Sequence, residues 1–105
     1  MYNVSNATAL DWGWAIMNTY LVSYDLNVPG QKYEDLYRLI KKFPDHIHMQ
    51  DSVWIIQAVE NSKFIYEYLS QVLDESDDIL IIKVSRDFYG ITHKEGLWEH
   101  LYKLI

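Results

Sequence analysis

The spacing of apolar residues predicts a regular order of strands and helices from residue 17 onward. Residues 18–26 form a β-branched and aromatic run, which is typical of a buried strand. Turn-forming residues follow at 27–30. Residues 31–43 then repeat apolar side chains at the spacing of an amphipathic helix, with arginine and lysine toward its C-terminal end. The apolar positions of this first helix are Tyr33, Leu36, Tyr37 and Ile40.

The middle of the chain predicts two short strands and a second helix. Residues 46–50 and 52–59 read as strands joined by a bend at Asp51 and Ser52, and the unbroken apolar run at 53–56 favours a central place in the sheet. Asn61 or Ser62 is expected to cap the second helix by accepting a backbone hydrogen bond. Its apolar stripe consists of Ile65, Tyr68, Leu69 and Val72.

The last third predicts one more strand and a C-terminal helix. We interpret the acidic run at 74–78 as a solvated turn and residues 79–84 as another buried strand. Thr92 and Glu95 have the spacing of a capping box, which predicts that the last helix begins there. Leu97, Leu101 and Leu104 would then lie on one of its faces.

This order predicts an α+β fold, a ferredoxin-like βαββαβ sandwich with a C-terminal helix. We expect residues 17–105 to form one domain, and residues 1–16 to be either an N-terminal arm packed by its tryptophans or an artefactual extension. Both faces of the first strand carry apolar residues. The sheet face without helices is therefore a candidate homodimer surface, unless the last helix and the N-terminal arm cover it. The sheet edges are the other place where we expect a homodimer to form.

Composition limits the possible chemistry. The chain of 105 residues has no cysteine, which excludes disulfides and thiol catalysis. It has no membrane-spanning apolar run, and no basic region precedes a hydrophobic stretch near residue 1, so we expect no signal peptide. These features predict a cytoplasmic protein that does not act in membranes. The net charge of -6 argues against general nucleic-acid affinity, because such binding depends on lysine and arginine at the phosphates.

The strand at 20–26, the helix after it, the segment 51–56 and the acidic residues before 79–82 resemble the CRISPR-associated Cas-two family and its VapD-like and SinR-like relatives. The resemblance covers roughly residues 20–85. It implies a ferredoxin-like homodimer in which the acidic residue that ends the first strand faces its symmetry mate. The pair would hold a divalent metal, Mg(II), that activates water against a nucleic-acid phosphodiester.

The residue that matches this catalytic and metal-binding position is Asp25, and the alternative is that Asp25 caps the turn before Pro29. The expected substrate contacts are Tyr24 beside it, Ser52 at the predicted bend, and Arg86. Arg86 opens an aromatic loop at 86–90 that would either contact a phosphate and a base or act as the hinge that docks the last helix on a partner.

Other polar residues give weaker patterns. His46 and His48 would share one face of a strand and form a two-ligand metal pattern with Asp45, against the alternative that they are surface histidines. Two functions remain open. One is a Mg(II)-dependent endoribonuclease that uses paired Asp25, and the other is a non-catalytic, SinR-like dimeric interaction module in phage or plasmid defence or regulation.

Overall fold

A computed structural model of the chain describes residues 16–27 and 31–105. Apart from Ile16, the predicted N-terminal arm lies outside these residues. The described chain is an α+β fold with a four-stranded antiparallel sheet and three α-helices. In chain order the elements are β1 (Asn18–Asp25), α1 (Gln31–Ile40), β2 (Asp45–Gln50), β3 (Val53–Ala58), α2 (Ser62–Leu69), β4 (Asp78–Lys83) and α3 (Leu97–Leu104). A 3-10 turn, Ser70–Val72, extends α2.

The sheet has the strand order β2-β3-β1-β4, so β1 and β3 are central, while β2 and β4 form the two edges. All neighbouring strands are antiparallel. The central place predicted for residues 53–56 is confirmed. The buried strand predicted at 79–84 is corrected: β4 lies at an edge, and its residues are exposed or half-buried.

Helices α1 and α2 cover the first face of the sheet. The apolar stripes predicted for both helices are confirmed, since their members lie in or against one core with the even-numbered residues of β1. Asn61 caps α2, as expected, by accepting a hydrogen bond of 2.9 Å from the backbone N–H of Phe64. The amphipathic pattern therefore predicts this layer well, because one buried stripe per helix is enough to place it.

Helix α3 covers part of the second face. Leu97, Leu101 and Leu104 are buried against Ile47 and Ile55, which confirms the predicted apolar face of this helix. The predicted helix start is wrong, however. The helix begins after Gly96, and the Thr92 hydroxyl accepts a hydrogen bond from Lys94 instead of closing a capping box.

The cover by α3 does not extend across β4. Leu80 and Ile82 project from the second face and are 56% and 49% exposed. Asp25 and Asp78 lie on the same side and are also exposed. We call this region, formed by Asp25, Asp78, Leu80 and Ile82, the open surface.

Candidate functional site

One end of the sheet brings together three of the predicted site residues. The Tyr24 backbone N–H donates to the carbonyl of Ser52 over 3.1 Å, which joins the end of β1 to the bend before β3. Asp25 is the next residue and is the last of β1. Tyr24, Asp25 and Ser52 are therefore neighbours, as the sequence resemblance implies.

Asp25 has an acidic neighbour that the sequence analysis overlooked. It is paired in register with Asp78, the first residue of β4, so both carboxylates leave the same face. Residues paired in this way have Cα atoms roughly 4.5–5.5 Å apart. Like charges in this position destabilise a strand pair, and a bound cation would remove that repulsion. Among the described residues, no side chain donates a hydrogen bond to Asp25.

The sequence does contain a pattern that places Asp78 near Asp25. The acidic residues Asp77 and Asp78 come just before an apolar strand, whereas Asp25 comes at the end of one. Antiparallel pairing of those two strands brings the start of one to the end of the other. Recognising the pair required the strand order, because β1 and β4 are separated by most of the chain.

Tyr24 points away from Asp25, into the first face of the sheet. Its hydroxyl accepts a hydrogen bond of 3.0 Å from Trp54 Nε1 and donates one of 3.2 Å to the carbonyl of Asp51. The side chain is buried, and this burial raises the pKa of Tyr24 far above its ordinary value. The hydroxyl therefore stays protonated and fixes the bend rather than facing the open surface.

An aromatic cluster supports the same bend. His48 stacks on Trp54 with ring centroids 4.3 Å apart, and Tyr37 contacts both rings. The Tyr37 hydroxyl and His48 Nε2 both lie 3.4 Å from the Asp51 carbonyl, which also accepts from Tyr24. These contacts give the bend a fixed position beside Asp25.

The histidine pattern does not assemble a metal site with Asp45. His46 and His48 do share a face, as predicted, because their partners in β3 belong to the first core. Asp45 lies on the other face, where its Oδ1 atom is 2.8 Å from His100 Nε2 of α3. Within the described part of one chain, no group of three or more histidine, aspartate or glutamate side chains is arranged to hold a metal ion.

The acidic turn before β4 is exposed at residues 74–76, as predicted, and it also binds a lysine. Lys32 Nζ lies 2.7 Å from Asp74 and 2.8 Å from Asp77, and the Asp77 side chain has no exposed area. Asp77 also accepts hydrogen bonds from the backbone N–H groups of Asn27 and Asp74. The hydrogen bonds from Lys32 lower the pKa of both carboxyls, and the carboxylates in turn raise the pKa of Lys32.

Arg86 lies far from the other predicted site residues. It follows the end of β4 that pairs with Tyr20, whereas Asp25 pairs with the start of β4. Five residues of a strand span roughly 17 Å. The Arg86 Nε atom donates to the carbonyl of Ile105 over 3.2 Å, so the arginine contacts the chain end beyond α3.

The comparisons with known proteins found no match to this chain. No protein-family model matches the chain, and neither the curated proteins nor the solved structures contain a match. Within residues 16–27 and 31–105, no helix is long and apolar enough to cross a membrane.

Proposed function

We propose that the chain is a homodimeric, ferredoxin-like domain that cleaves RNA phosphodiesters with a divalent metal held at Asp25. The proposed fold is supported by the observed element order and by the strand order β2-β3-β1-β4 with antiparallel neighbours. Both are the arrangement expected when two right-handed βαβ crossovers are interleaved in one sheet.

The observation that carries the proposed activity is the exposed carboxylate pair of Asp25 and Asp78. Mg(II) prefers carboxylate oxygens, retains several waters, and is usually bound by one or two carboxylates together with substrate phosphates. The pair has this donor chemistry within a single chain. When bound, the metal would neutralise phosphate charge and polarise the scissile group.

The protein's own residues then have separate roles. Asp25 and Asp78 bind the cation, and the rest of the open surface, Leu80 and Ile82, leaves room for a nucleic-acid strand. The bend at Asp51 and Ser52 limits one side of the site, because Tyr24 holds it against β1. No catalytic role is assigned to the Tyr24 hydroxyl, which is engaged inside the fold.

A second function is favoured by the charges around the site. Lys32 lies at this end of the sheet, and its positive charge is offset by its two carboxylate partners, Asp74 and Asp77. Asp25, Asp74, Asp77 and Asp78 together make this end acidic, which repels a phosphate backbone in the absence of a metal. The alternative is a SinR-like dimeric interaction module without catalysis.

An RNA cleavage assay separates the two functions. We expect the purified protein to cut labelled single-stranded RNA in Mg(II), to be inactive in EDTA, and to lose at least tenfold in rate as Asp25→Asn or Asp78→Asn, since each loses an anionic metal ligand. Asp87→Asn is the matched control, because it removes an exposed carboxylate beyond the other end of β4. A parallel DNA substrate tests selectivity.

Two results contradict the nuclease. One is the absence of Mg(II)-dependent cleavage, and the other is cleavage that persists at the original rate in both Asp25→Asn and Asp78→Asn. Either result leaves the interaction module, for which the decisive measurement is the mass of the purified protein by light scattering.

A further inference from the structure

The two edges of the sheet are protected to very different degrees. β2 contains an irregular register between His48 and Gln50, and Lys94 Nζ binds the carbonyls of His48 and Met49 over 2.9 Å each. Bulges, lysine side chains and covering helices are the usual means by which proteins block strand addition at an edge. Helix α3 also packs against β2, so this edge carries an irregular register, a bound lysine and a neighbouring helix.

Among the described residues β4 has no bulge; α2 packs against its first face, and Lys83 lies at its C-terminal end. Its sequence, DILIIK, contains four consecutive branched apolar residues, no proline and no break in its register with β1. The Val84 N–H donates to the Thr19 carbonyl over 2.8 Å, which fixes the alternation of the β1–β4 ladder. By that alternation, Ile79, Ile81 and Lys83 direct their N–H and C=O groups away from β1. Among residues 16–27 and 31–105, no strand pairs with this side of β4, so its outward N–H and C=O groups can pair with another strand.

We propose that β4 pairs antiparallel with β4 of a second copy and joins the two sheets into one. This inference rests on the homodimer of the proposed function and specifies its interface. Charge favours the antiparallel direction, because it places the Asp78 end of one strand toward the Lys83 end of its partner, whereas parallel pairing would juxtapose equal charges.

The side chains favour a register centred on Ile81. In that register Ile81 faces Ile81 of the partner subunit in a hydrogen-bonded pair, and Leu80 faces Ile82 of the partner subunit in the closer, non-hydrogen-bonded pair. Leu80 and Ile82 are the two half-exposed apolar residues of β4, so each gains an apolar neighbour. In this register, residues that lie opposite each other point to the same side. Each face of one sheet therefore continues into the corresponding face of the other.

The surface beside β4 extends the contact. Ser62, Lys63 and Tyr66 of α2 line a groove of about 250 Å³ with Ile79, Leu80 and Ile81. Tyr66 is 49% exposed. A second copy that adds its β4 to the edge brings its own first-face side chains toward this groove, which adds apolar contact to the main-chain hydrogen bonds.

The pairing has a consequence for the candidate metal site. With strands about 4.8 Å apart and residues about 3.3 Å apart, the two copies of Asp25 would be separated by roughly 25 Å. They could not share one ion. Each copy would use its own Asp25 and Asp78, so the dimer would carry two separate sites.

The test uses substitutions at Ile81, measured by light scattering on the full chain. Ile81→Pro removes an N–H that points away from β1, so the β1–β4 ladder should survive while the dimer weakens roughly thirtyfold through loss of two hydrogen bonds across the two-fold axis. Ile81→Ala is the matched control, because it shortens the side chain but keeps the N–H. We expect it to remain a dimer.

A cysteine variant gives a second readout that does not depend on the proline. The chain has no natural cysteine, so Ile81→Cys should form one intermolecular disulfide under mild oxidation, as Cα atoms in such a pair lie within disulfide range. Tyr102→Cys is the control for random collision, since Tyr102 is exposed on α3 and lies outside the proposed contact.

The possible outcomes distinguish a failure of the proposed β4 interface from a failure of the homodimer itself. A wild-type monomer at micromolar concentration overturns both, while the RNA assay still tests the nuclease. A dimer that persists unchanged in Ile81→Pro, or that fails to cross-link through Ile81→Cys, overturns edge pairing but leaves the homodimer. A monomeric, folded Ile81→Pro together with a cross-linked Ile81→Cys supports the inference.

Discussion

At the scale of single residues, the acidic end of the sheet combines two kinds of carboxylate. The Asp77 side chain has no exposed area and is bound by Lys32, whereas Asp25 and Asp78 are exposed and face each other across two strands. The first kind stabilises the turn before β4. The second kind is available to a cation. Position in the fold, rather than residue type, separates the structural carboxylate from the candidate ligands.

The Lys32–Asp77 pair predicts a specific acid dependence of stability. The pKa of Asp77 is lowered in the folded state, so its contribution is present above the unfolded pKa, about 3.8, and is lost as pH falls through the folded value. We expect the free energy of unfolding to fall below about pH 4. Lys32→Met should flatten that fall.

Urea unfolding followed by circular dichroism at several pH values measures this effect. Lys63→Met is the control, because Lys63 is exposed on α2 and takes part in none of the ion pairs of the described residues. An identical acid dependence in wild type and Lys32→Met would show that the pair adds nothing to stability.

The Tyr24 hydroxyl predicts a second effect at this scale. In Tyr24→Phe the buried Trp54 Nε1–H loses its acceptor and the Asp51 carbonyl loses a donor. Leaving a buried polar group unpaired costs about 1–3 kcal/mol. Urea unfolding should show a loss of this size, whereas Tyr66→Phe on the exposed face of α2 should lose almost nothing. Equal losses in both variants would contradict the assigned role.

At the scale of elements, local patterns predict the helices and strands better than their ends. The stripes of α1 and α2 and the three leucines of α3 are recognisable because one helical period determines which side chains are buried. The start of α3 could not be located in this way. Thr92 and Glu95 have capping-box spacing, but the chain turns at Gly96 with a φ of 75°.

That turn predicts a contrast between two glycines. Gly96→Ala should destabilise the fold by about 1–2 kcal/mol, because a side chain is strained in the left-handed region. Gly90→Ala is the matched control, since its new Cβ would lie 3.7 Å from Trp98 Cη2, an ordinary contact. Thermal unfolding of the two variants measures the difference. A loss of stability in Gly90→Ala as large as that in Gly96→Ala would contradict the explanation.

At the scale of the whole molecule, strand order determines what sequence reasoning missed. The apolar run of β4 predicts a strand, but an edge strand and a central strand can have the same sequence, so its exposure depends on pairings made elsewhere. The Asp25–Asp78 pair depends on the same long-range order. Tyr24, Asp25 and Ser52 were expected in one site because of the family resemblance, whereas the distant position of Arg86 required the full length of β4.

The same strand order predicts how many metal ions a dimer binds. A metal shared by Asp25 of two copies would bind once per dimer and would be lost with the dimer. If Asp25 and Asp78 of each chain form the site, binding should be one ion per chain and should have the same affinity in wild type and in monomeric Ile81→Pro. Titration with Mn(II), followed by its electron paramagnetic resonance signal, counts the bound ions directly.

Asp78→Asn distinguishes the two arrangements further. It removes half of the ligand pair in each chain, so Mn(II) affinity should fall at least tenfold if both carboxylates bind the ion. A site built from two copies of Asp25 alone would keep its affinity in Asp78→Asn and would bind one ion per dimer. Because the two arrangements differ in stoichiometry and in their response to Asp78→Asn, one set of titrations decides whether the dimer completes the metal site or only duplicates it.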